Sequence, residues 1–394
     1  MSAWRDRFLA DAAQWQSAGL ERRRRVVRPL SATTVEADGR ILTAFASNDY
    51  LGLSRHPRLV EALAEGARLY GVGAGASHLV SGHHGVHEEL ERELARFANK
   101  PAALLCMNGY AANIALMTTL AGAGDEIFSD ELNHASIVDG TRLSRAAVKI
   151  YAHADVDALA ALLGSSAAAH KLVVTDAVFS MDGDIAPLRE LLALCERHDA
   201  LLVVDDAHGL GVCGPEGRGS VEALGLRSEA IVYMGTLGKS AGLSGAFIAA
   251  ERLIIDRLIQ RARAYVFSTA SSPALAHATL TALELIRSAD AGRARLAAYR
   301  DRLQRTSSEW KPYRLLPSAT AIQPLIIGDN VATVQIADAL LREGLWTPAI
   351  RPPTVPDGSA RLRITLSAAH SAMDVEHLCK ALSQVIAAGI ANPA

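Results

Sequence analysis

Cysteine is scarce in this chain, and its few cysteines form no pattern. Cys106, Cys195, Cys213 and Cys379 are the only ones in 394 residues, and no two of them make a CxxC pair. Disulfide scaffolds and structural zinc sites depend on closely spaced cysteines. We therefore expect reduced thiols in a cytoplasmic protein, without a disulfide framework and without a metal site.

Excess charge and membrane-length apolar segments are also absent. The formal net charge is −2, whereas a protein that neutralises nucleic-acid phosphates needs a strongly basic face. The longest uncharged stretch, residues 101–124, contains asparagine, glycine and threonine. This composition favours a buried strand, a turn and a helix over a membrane span. The N-terminus lacks the apolar core of a secretory signal, so we expect neither a nucleic-acid nor a membrane partner.

The chain is too long to form a single ordinary hydrophobic core, and its length predicts about two to three domains. Residues 4–25 have the apolar spacing of a helix and belong to a predicted N-terminal arm over residues 1–45. The run Arg22-Arg23-Arg24-Arg25 is either a solvated helix end or a site for a phosphorylated substrate. A large domain is predicted over 46–283. A helical stretch from 272 to about 299 links it to a smaller α+β domain over 284–394.

From about residue 45, short apolar runs alternate with segments of helical spacing. Near-continuous valine, isoleucine and leucine runs are typical of a mostly parallel sheet covered by helices on both faces. The predicted strands are 103–107, 126–130, 148–152, 171–176, 200–206, 231–235 and 246–250, with 321–328 and 360–367 in the smaller domain. The predicted helices between them are 86–98, 110–120, 155–163 and 187–198. The sequence therefore predicts an α/β fold.

The strongest chemical signal combines an aspartate, a histidine and a lysine. The apolar run at 200–206 reaches Asp205, and His208 follows three residues later. Lys239 comes after the next strand, in a glycine-flanked turn with Thr236. Residues at the carboxyl ends of strands line the ligand crevice of an α/β sheet. An aspartate there keeps a pyridine nitrogen protonated, and a lysine amine forms an imine with an aldehyde, so the pattern indicates pyridoxal 5'-phosphate (PLP).

These residues also allow interpretations other than a cofactor site. Taken alone, Asp205 is more often a helix cap and Lys239 a surface lysine, but their order after two apolar strands favours the cofactor. A hydrolase triad of Ser180, Asp205 and His208 leaves Lys239 without a role, and Ser180, in the segment VFSMDG, does not lie in a G-x-S-x-G elbow. The glycine-rich segment 71–82 follows a helical stretch rather than a strand. It therefore predicts a flexible loop near the site and not a dinucleotide fingerprint.

Three more segments place polar groups after predicted strands. Gly109 and Tyr110 follow Asn108 at a helix start, where backbone N–H groups form a ready phosphate site. Ser180 follows the strand at 171–176, and its hydroxyl suits the phosphate or a ring oxygen. His134 follows the strand at 126–130, and its imidazole is suited to stack on a pyridine ring, although a lone histidine is more often a packed residue.

Several long motifs then support a family resemblance. The chain resembles the α-oxoamine synthases, which are fold-type I PLP-dependent transferases of the aspartate aminotransferase-like fold and work as homodimers. The motifs cover nearly the whole chain and are NDYLGL, GAGASHLVSG, NHASIVDG, VFSMDGD, VVDDAHGLGVCGPEGRG, GTLGKS and IRPPTVPDGSARLRITLSAAH. The resemblance implies a cytoplasmic acyltransferase with PLP as its cofactor.

The resemblance also implies a role for each matching residue. Lys239 would hold the cofactor as a Schiff base, Asp205 would pair with the ring nitrogen, and His208 would bond to the phenolic oxygen. The other implied cofactor contacts are Gly109, Tyr110, Ser180 and Thr236. The implied substrate contacts are Arg22, Asn48, His134, Arg351 and Thr354. Of these, His134 would also stack on the ring, and Arg351 with Asn48 would hold a carboxylate.

The C-terminal motif most resembles one branch of the family. Members of that branch join L-alanine to a pimeloyl thioester, either pimeloyl-CoA or pimeloyl-[acyl-carrier protein], in biotin biosynthesis. A sister enzyme that uses glycine, of the glycine C-acetyltransferase or 5-aminolevulinate synthase type, is the alternative. A non-catalytic PLP-binding regulatory module is more distant, because we find no segment that would form a DNA-binding domain. Asn108 stands where the family pattern has serine, so its side-chain role stays open.

Overall fold

The computed structural model describes residues 2–22 and 24–389, which fold as two compact units. The terminal unit contains the described residues up to Tyr50, Met181–Gly183 and the described residues from Ala294 onwards. The sheet unit contains Leu51–Ser180 and Asp184–Arg293. Residues of the predicted N-terminal arm therefore share a unit with C-terminal residues. The domain bounds predicted from the sequence stay a prediction.

The strands and helices begin and end close to the patterns of the sequence. In chain order the strands are β1 Val27–Pro29, β2 Thr34–Ala37, β3 Arg40–Ala44, β4 Ala102–Cys106, β5 Glu126–Asp130, β6 Ala147–Tyr151, β7 Lys171–Asp176, β8 Ala200–Asp205, β9 Ile231–Thr236, β10 Ala246–Ala250, β11 Arg314–Leu315, β12 Ile322–Gly328, β13 Leu345–Trp346, β14 Ala349–Ile350 and β15 Ala360–Thr365. The α-helices are α1 Ser2–Ser17, α2 Pro57–Tyr70, α3 Gly85–Phe97, α4 Gly109–Leu120, α5 Ala135–Ser144, α6 Val156–Gly164, α7 Leu188–Arg197, α8 Ser220–Ala223, α9 Arg252–Arg261, α10 Arg263–Val266, α11 Pro273–Arg287, α12 Asp290–Thr306, α13 Asn330–Arg342 and α14 Ala372–Ala387. The predicted strands 126–130, 171–176 and 246–250 coincide with β5, β7 and β10.

The sheet unit is built on a seven-stranded sheet of order β4-β10-β9-β8-β7-β5-β6. Neighbouring strands are parallel, except that β10 runs antiparallel to both β4 and β9. Every residue of β4, β9 and β10 is buried, because helices cover both faces of a sheet of this kind. The predicted α/β fold with a mostly parallel sheet is confirmed.

Helices α4 and α5 pack closely because a glycine lies between them. A Cβ on Gly140 of α5 would lie 2.8 Å from Met117 Cγ and 3.1 Å from the carbonyl oxygen of Asn113, both in α4. Carbon atoms in ordinary contact are about 3.5–4.0 Å apart, so a side chain at this position would push the helices apart. As a consequence, polar residues of the two helices face each other at hydrogen-bonding distance.

The terminal unit contains two four-stranded sheets, of order β1-β2-β3-β13 and β11-β12-β15-β14. Strands β3 and β13 pair in parallel, with Thr43 opposite Leu345. Helix α1 has no buried residue among those the structure describes. Its large apolar side chains Trp4, Phe8 and Trp15 are each more than half exposed, so α1 presents an uncovered apolar surface.

Two predicted helices differ from the observed ones. The helix predicted over 4–25 ends at Ser17, because Gly19 takes a positive φ of 64° that breaks the helical path. The helical stretch predicted over 272–299 is two helices, α11 and α12. They separate at Ser288, whose hydroxyl donates to the carbonyl of Glu284 at 3.1 Å and competes with continuation of the helix.

The structure also differs from the sequence prediction at two irregular segments. Strands β1, β2 and β3 were not predicted, because they are short and their outward faces carry polar side chains. In the predicted flexible loop 71–82, residues His78–Gly82 form a π-helical turn. The turn is closed by the N–H of Gly82, which donates to the carbonyl of Ser77 at 3.0 Å.

The four cysteines are free in the described chain, and Cys106, Cys195 and Cys379 are buried.

Among residues 2–22 and 24–389, no helix combines the length and the apolar composition that crossing a bilayer requires.

Candidate active site

The carboxyl ends of neighbouring parallel strands bring several polar side chains to one edge of the sheet. Asp176 ends β7, and it lies opposite Asp205, which ends β8. Thr236 ends β9, the next strand along the sheet. All three side chains are buried. This edge is where α/β sheets bind their ligands, and Asp205 and Thr236 both lie on it.

Lys239 lies in a tight turn just after β9. Its carbonyl accepts a hydrogen bond from the N–H of Gly242 at 2.9 Å. Gly242 has a φ of +72°, and a Cβ there would lie 2.5 Å from the backbone nitrogen of Ser54, so only glycine fits. The Lys239 Nζ lies 2.7 Å from Nε2 of the buried His208. In a triad of Ser180, Asp205 and His208, a ring nitrogen of His208 would have to face the serine. Here Nε2 of His208 faces the lysine amine instead.

Asp205 is 3 % exposed and is held by two donors. Its Oδ2 accepts a hydrogen bond from Asn113 Nδ2 at 2.7 Å, and its Oδ1 accepts one from the N–H of Ala207 at 3.0 Å. Asn113 was missed in the sequence. The available signal was a single asparagine in the middle of the otherwise apolar helix α4.

His134 is fixed at the start of α5 by contacts on its backbone and on its ring. Its N–H donates to Asp176 Oδ2 at 2.7 Å. Its Nδ1 accepts a hydrogen bond from the N–H of Ser136 at 3.3 Å and lies 2.8 Å from the Ser136 hydroxyl. Burial lowers the pKa of His134, against the opposing effect of the Asp205 charge, and the Lys239 charge lowers it further. The imidazole is therefore neutral.

The remaining predicted cofactor contacts surround the same edge. Helix α4 starts with Gly109 and Tyr110, after the N-cap Asn108, whose side chain accepts from the N–H of Ala111 at 2.8 Å. The N–H groups of a first helical turn have no partner within the helix, so this turn offers donors to an anion. Thr236 Oγ1 donates to a backbone carbonyl and accepts from a backbone N–H.

Two predicted contacts in the sheet unit lie nearer to its surface. Tyr110 is 47 % exposed, and its hydroxyl donates to Asp139. Ser180 is half-buried and follows β7 after a short buried segment. Neither observation assigns a function, and both residues keep their predicted role as cofactor contacts.

The predicted substrate contacts other than His134 lie in the terminal unit. Arg22 Nη2 donates to Thr354 Oγ1 at 3.4 Å, and Arg351 donates to the backbone carbonyls of residues 19 and 21. Asn48 Oδ1 accepts from Arg363 Nη1 at 3.1 Å and is not paired with Arg351. Their roles toward a substrate stay predictions.

Two further points concern the arginines of the terminal unit. Arg363 was missed in the sequence, although a buried strand that carries arginines, as in ARLRITLS, was the available signal. Arg23 of the arginine run lies outside the described residues. The choice between a solvated helix end and a phosphate site therefore stays open.

A charged cluster missed in the sequence holds the segment before Ser180. His153 Nδ1 lies 3.0 Å from Asp130 Oδ1, and its Nε2 lies 2.7 Å from Asp184 Oδ2. The ring also meets Phe179 edge-on, with centroids 4.4 Å apart. Asp130 ends β5, so His153 ties the carboxyl edge of the sheet to the segment that carries Ser180.

This sheet and its polar edge define a class of protein. Residues 40–382 match the family model of the aminotransferases of class I and II. A structure of the serine palmitoyltransferase SPT with a PLP internal aldimine superposes with a TM-score of 0.92 at 29 % identity, covering 98 % of each chain. The chain belongs to the class I and II aminotransferase family.

Sequence identity places the chain more narrowly. The 8-amino-7-oxononanoate synthase of Janthinobacterium sp. (strain Marseille) is 54 % identical over 384 residues, which are 95 % of this chain and 96 % of that protein. A crystal structure of 8-amino-7-oxononanoate synthase from Francisella tularensis is 27 % identical with a TM-score of 0.77, over 88 % of this chain and 98 % of that one. Within the family, the chain groups with the 8-amino-7-oxononanoate synthases.

The His153 cluster predicts a stability that depends on pH. Hydrogen bonds to Asp130 and then Asp184 raise the pKa of His153 from 6.5 to about 10. Because the folded pKa lies above the unfolded one, the stabilisation is complete below the unfolded pKa and is lost as the pH rises through about 10. We expect His153→Leu to lower the free energy of unfolding by about 1–3 kcal/mol near pH 6, since the buried Asp130 loses its cationic partner and keeps only the N–H groups of Leu132 and Ala154 as donors.

Urea unfolding of the apoprotein at about pH 6, 8 and 10 measures this difference, which should shrink as the pH rises. His170→Leu is the matched control, because His170 also pairs with an aspartate at 3.0 Å but has a side chain that is 79 % exposed. An exposed pair contributes little, so this variant should unfold like the wild type. A loss that is the same at every pH would show that His153 acts only by packing.

Proposed function

We propose that this chain condenses L-alanine with pimeloyl-CoA or pimeloyl-[acyl-carrier protein] and uses PLP as its cofactor. The products are 8-amino-7-oxononanoate, carbon dioxide and the free thiol, a step of biotin biosynthesis. The observation that carries the proposal is the 54 % identity with an 8-amino-7-oxononanoate synthase over nearly the full length of both chains. The polar edge of the sheet supplies the chemistry that such a reaction needs.

The side chains at this edge fit PLP. Asp205 is a buried carboxylate, and its two hydrogen bonds leave lone pairs for a protonated ring nitrogen. Gly109 has no side chain, and even an added Cβ would meet only Met234 Cε, at 3.7 Å, so the start of α4 is open to a phosphate. Lys239 would hold the aldehyde carbon, and His208 the phenolic oxygen. Tyr110, Ser180 and Thr236 would complete the set toward the phosphate.

When bound, PLP supplies an electron sink for the negative charge that forms at the α-carbon of alanine. The Lys239 amine takes the α-proton and later returns a proton to the same carbon, and His208 at 2.7 Å keeps the amine in place between these transfers. The α-carbon forms a bond to the thioester carbonyl carbon and the carbon–sulfur bond breaks, so that the sulfur leaves as a thiolate and takes a proton from solvent. The bond between the α-carbon and the alanine carboxylate then breaks with release of carbon dioxide, and the electron pair left at the α-carbon takes the proton from Lys239.

The terminal unit supplies the groups proposed for the substrates. Arg351 and Asn48 would hold the alanine carboxylate, because a guanidinium and an amide both donate to carboxylate oxygens. Thr354 and Arg22, which are hydrogen-bonded to each other at 3.4 Å, would contact the acyl donor. His134 would stack on the cofactor ring and contact the amino acid.

The lysine assignment has a direct chemical test. Borohydride reduction of the PLP-loaded protein should fix the cofactor on Lys239, and Lys239→Ala should abolish the label because it removes the amine proposed to form the Schiff base. Peptide mapping locates the labelled residue. Lys171→Ala is the control, since Lys171 Nζ donates to the carbonyl of His198 at 3.1 Å, and it should keep the label. A label on Lys171 in the wild type would move the site.

The amino-acid preference separates the proposal from its alternative. The alternative is a sister enzyme that uses glycine, and the TM-score of 0.92 with a serine palmitoyltransferase shows that the backbone alone does not choose between substrates. An apolar pocket for one methyl group is worth about 1–3 kcal/mol, or roughly 10–200-fold in specificity. We therefore expect alanine to be preferred to glycine within that range.

The measurement is the exchange of the α-proton with solvent deuterium for alanine, glycine and serine separately. Mass spectrometry of the products with pimeloyl-, succinyl- and acetyl-CoA follows. Faster exchange with glycine would favour the glycine-using sister enzyme. Binding of PLP without any exchange or product would favour the regulatory module.

We further propose that the enzyme is a cytoplasmic homodimer. Helix α1 exposes Trp4, Phe8 and Trp15 in the terminal unit. In the sheet unit, Val80 and Phe267 are 79 % and 71 % exposed, and a β-bridge between Ser77 and Thr269 brings their segments together. Exposed apolar groups of this size are typical of subunit interfaces.

Sedimentation velocity should therefore show a dimer for the wild type. Phe267→Asp should shift it toward monomers, because a carboxylate is costly to bury in an apolar interface. Met373→Asp is the control, since Met373 is 82 % exposed on α14 of the terminal unit and belongs to neither of these two groups of exposed apolar residues. A wild-type monomer with full activity would contradict the proposal.

A further inference from the structure

We propose that Asn113 is a positioning residue that organises the active-site edge through a one-way chain of hydrogen bonds, from Asn113 to Asp205 on one side and through Ser136 to His134 on the other. The inference rests on the proposed function for its effect on PLP. The hydrogen-bond chain itself is formed by side chains at the described edge and does not depend on PLP. Neither Asn113 nor Ser136 belongs to the set of residues predicted from motifs.

The direction of the chain is fixed at Asn113. This side chain is fully buried, and its Nδ2 donates to Asp205 Oδ2 at 2.7 Å and to Ser136 Oγ at 2.8 Å. A side-chain amide nitrogen has two hydrogens and no acceptor capacity, so both are used. The reversed amide would place its carbonyl oxygen against the Asp205 carboxylate, which has no hydrogen to share. Asp205 Oδ2 is therefore an obligate acceptor here.

The other arm continues through Ser136 to the ring of His134. Because Ser136 Oγ accepts from Asn113, its own hydrogen is available for His134 Nδ1, 2.8 Å away. The backbone N–H of Ser136 also points at that nitrogen, at 3.3 Å, and a backbone N–H only donates. Two donors thus face Nδ1, which must carry a lone pair. In the neutral ring the proton then sits on Nε2.

The chain has a consequence for each end of the site. The amide of Asn113 and the N–H of Ala207 hold the two oxygens of the Asp205 carboxylate in position for a protonated ring nitrogen. His134 is left with an Nε2–H that donates, so it contacts the cofactor or the amino acid as a donor and takes no proton there. One buried amide therefore contacts Asp205 on β8 directly and reaches His134 at the start of α5 through the Ser136 hydroxyl.

The packing of α4 against α5 makes this hydrogen-bond chain possible. Asn113 lies in α4 and Ser136 in α5, and Gly140 allows the two helices to approach, since its Cβ would lie 3.1 Å from the Asn113 carbonyl oxygen. The amide oxygen of Asn113 has no partner among the described residues. The orientation of the side chain therefore depends on its two donated hydrogen bonds.

A double-mutant cycle on PLP affinity tests the proposal. The apoenzyme is titrated with PLP, followed by visible absorbance, for the wild type, Asn113→Leu, Asp205→Asn and the double variant. Leucine keeps the branched shape and the number of heavy atoms of asparagine and removes both donors. We expect Asn113→Leu to weaken PLP binding about ten- to hundredfold, as for a hydrogen bond to a charged group. In the background of Asp205→Asn the same change should cost less than about twofold, because the residues act through each other.

Two further variants keep the outcome interpretable. Thr119→Val is the matched control on α4, because Thr119 is buried and its hydroxyl has no partner in the described chain; it should bind PLP like the wild type. Ser136→Ala breaks only the arm to His134. It should leave PLP affinity within about threefold. ¹⁵N spectra of histidine-labelled holoenzyme should show a smaller population of the Nε2-protonated tautomer of His134, because only the backbone N–H of residue 136 then still faces Nδ1.

Three results would overturn the proposal. The first is a loss in the double variant equal to the product of the single losses. The second is a protonated Nδ1 on His134 in the wild type. The third is a Thr119→Val variant as impaired as Asn113→Leu. A wild-type protein that binds no PLP would instead overturn the proposed function, so the two failures are distinguishable.

Discussion

A pair of carboxylates buried side by side is the constraint on which the arrangement of the sheet unit depends. The parallel register of β7 and β8 places Asp176 opposite Asp205, and both are nearly excluded from solvent. Desolvation and the neighbouring charge of Asp205 raise the pKa of Asp176 well above its usual value. Such a pair is tolerated only where donors surround it. Residues on α4, at the start of α5 and after β8 supply these donors, so the positions of the helices and of the polar side chains at this edge have a common cause.

Much of the sheet unit follows from local patterns. Apolar runs identified its strands to within one or two residues, because a strand buried on both faces is apolar at nearly every position. Asp205, His208 and Lys239 were predictable for the same reason, since polar residues directly after such runs stand out. The remaining elements were harder. Strands β1 to β3 are short and partly exposed, and Ser288 divides a helix by a side-chain hydrogen bond that no apolar pattern reveals.

The residues missed at the site share one property, which is that their partners are distant in sequence. Asn113 contacts Asp205, and His153 contacts Asp130 and Asp184. Nothing in the local sequence tells whether an asparagine in an apolar helix meets a carboxylate or a backbone carbonyl. A polar residue inside an apolar segment must have a partner, so the sequence marks such positions without identifying the partner.

The two units also differ in what they can do while the chain is being made. All strands of the large sheet lie between residues 102 and 250, so this sheet is complete well before synthesis ends. In the terminal unit, β3 waits for β13, about 300 residues later. Closing such a long loop is slow and leaves strand edges unpaired in the meantime. Strand β3 thus pairs with β2 early, but its other edge is among the last to be covered, and a chain cut before residue 345 would expose that edge to other molecules.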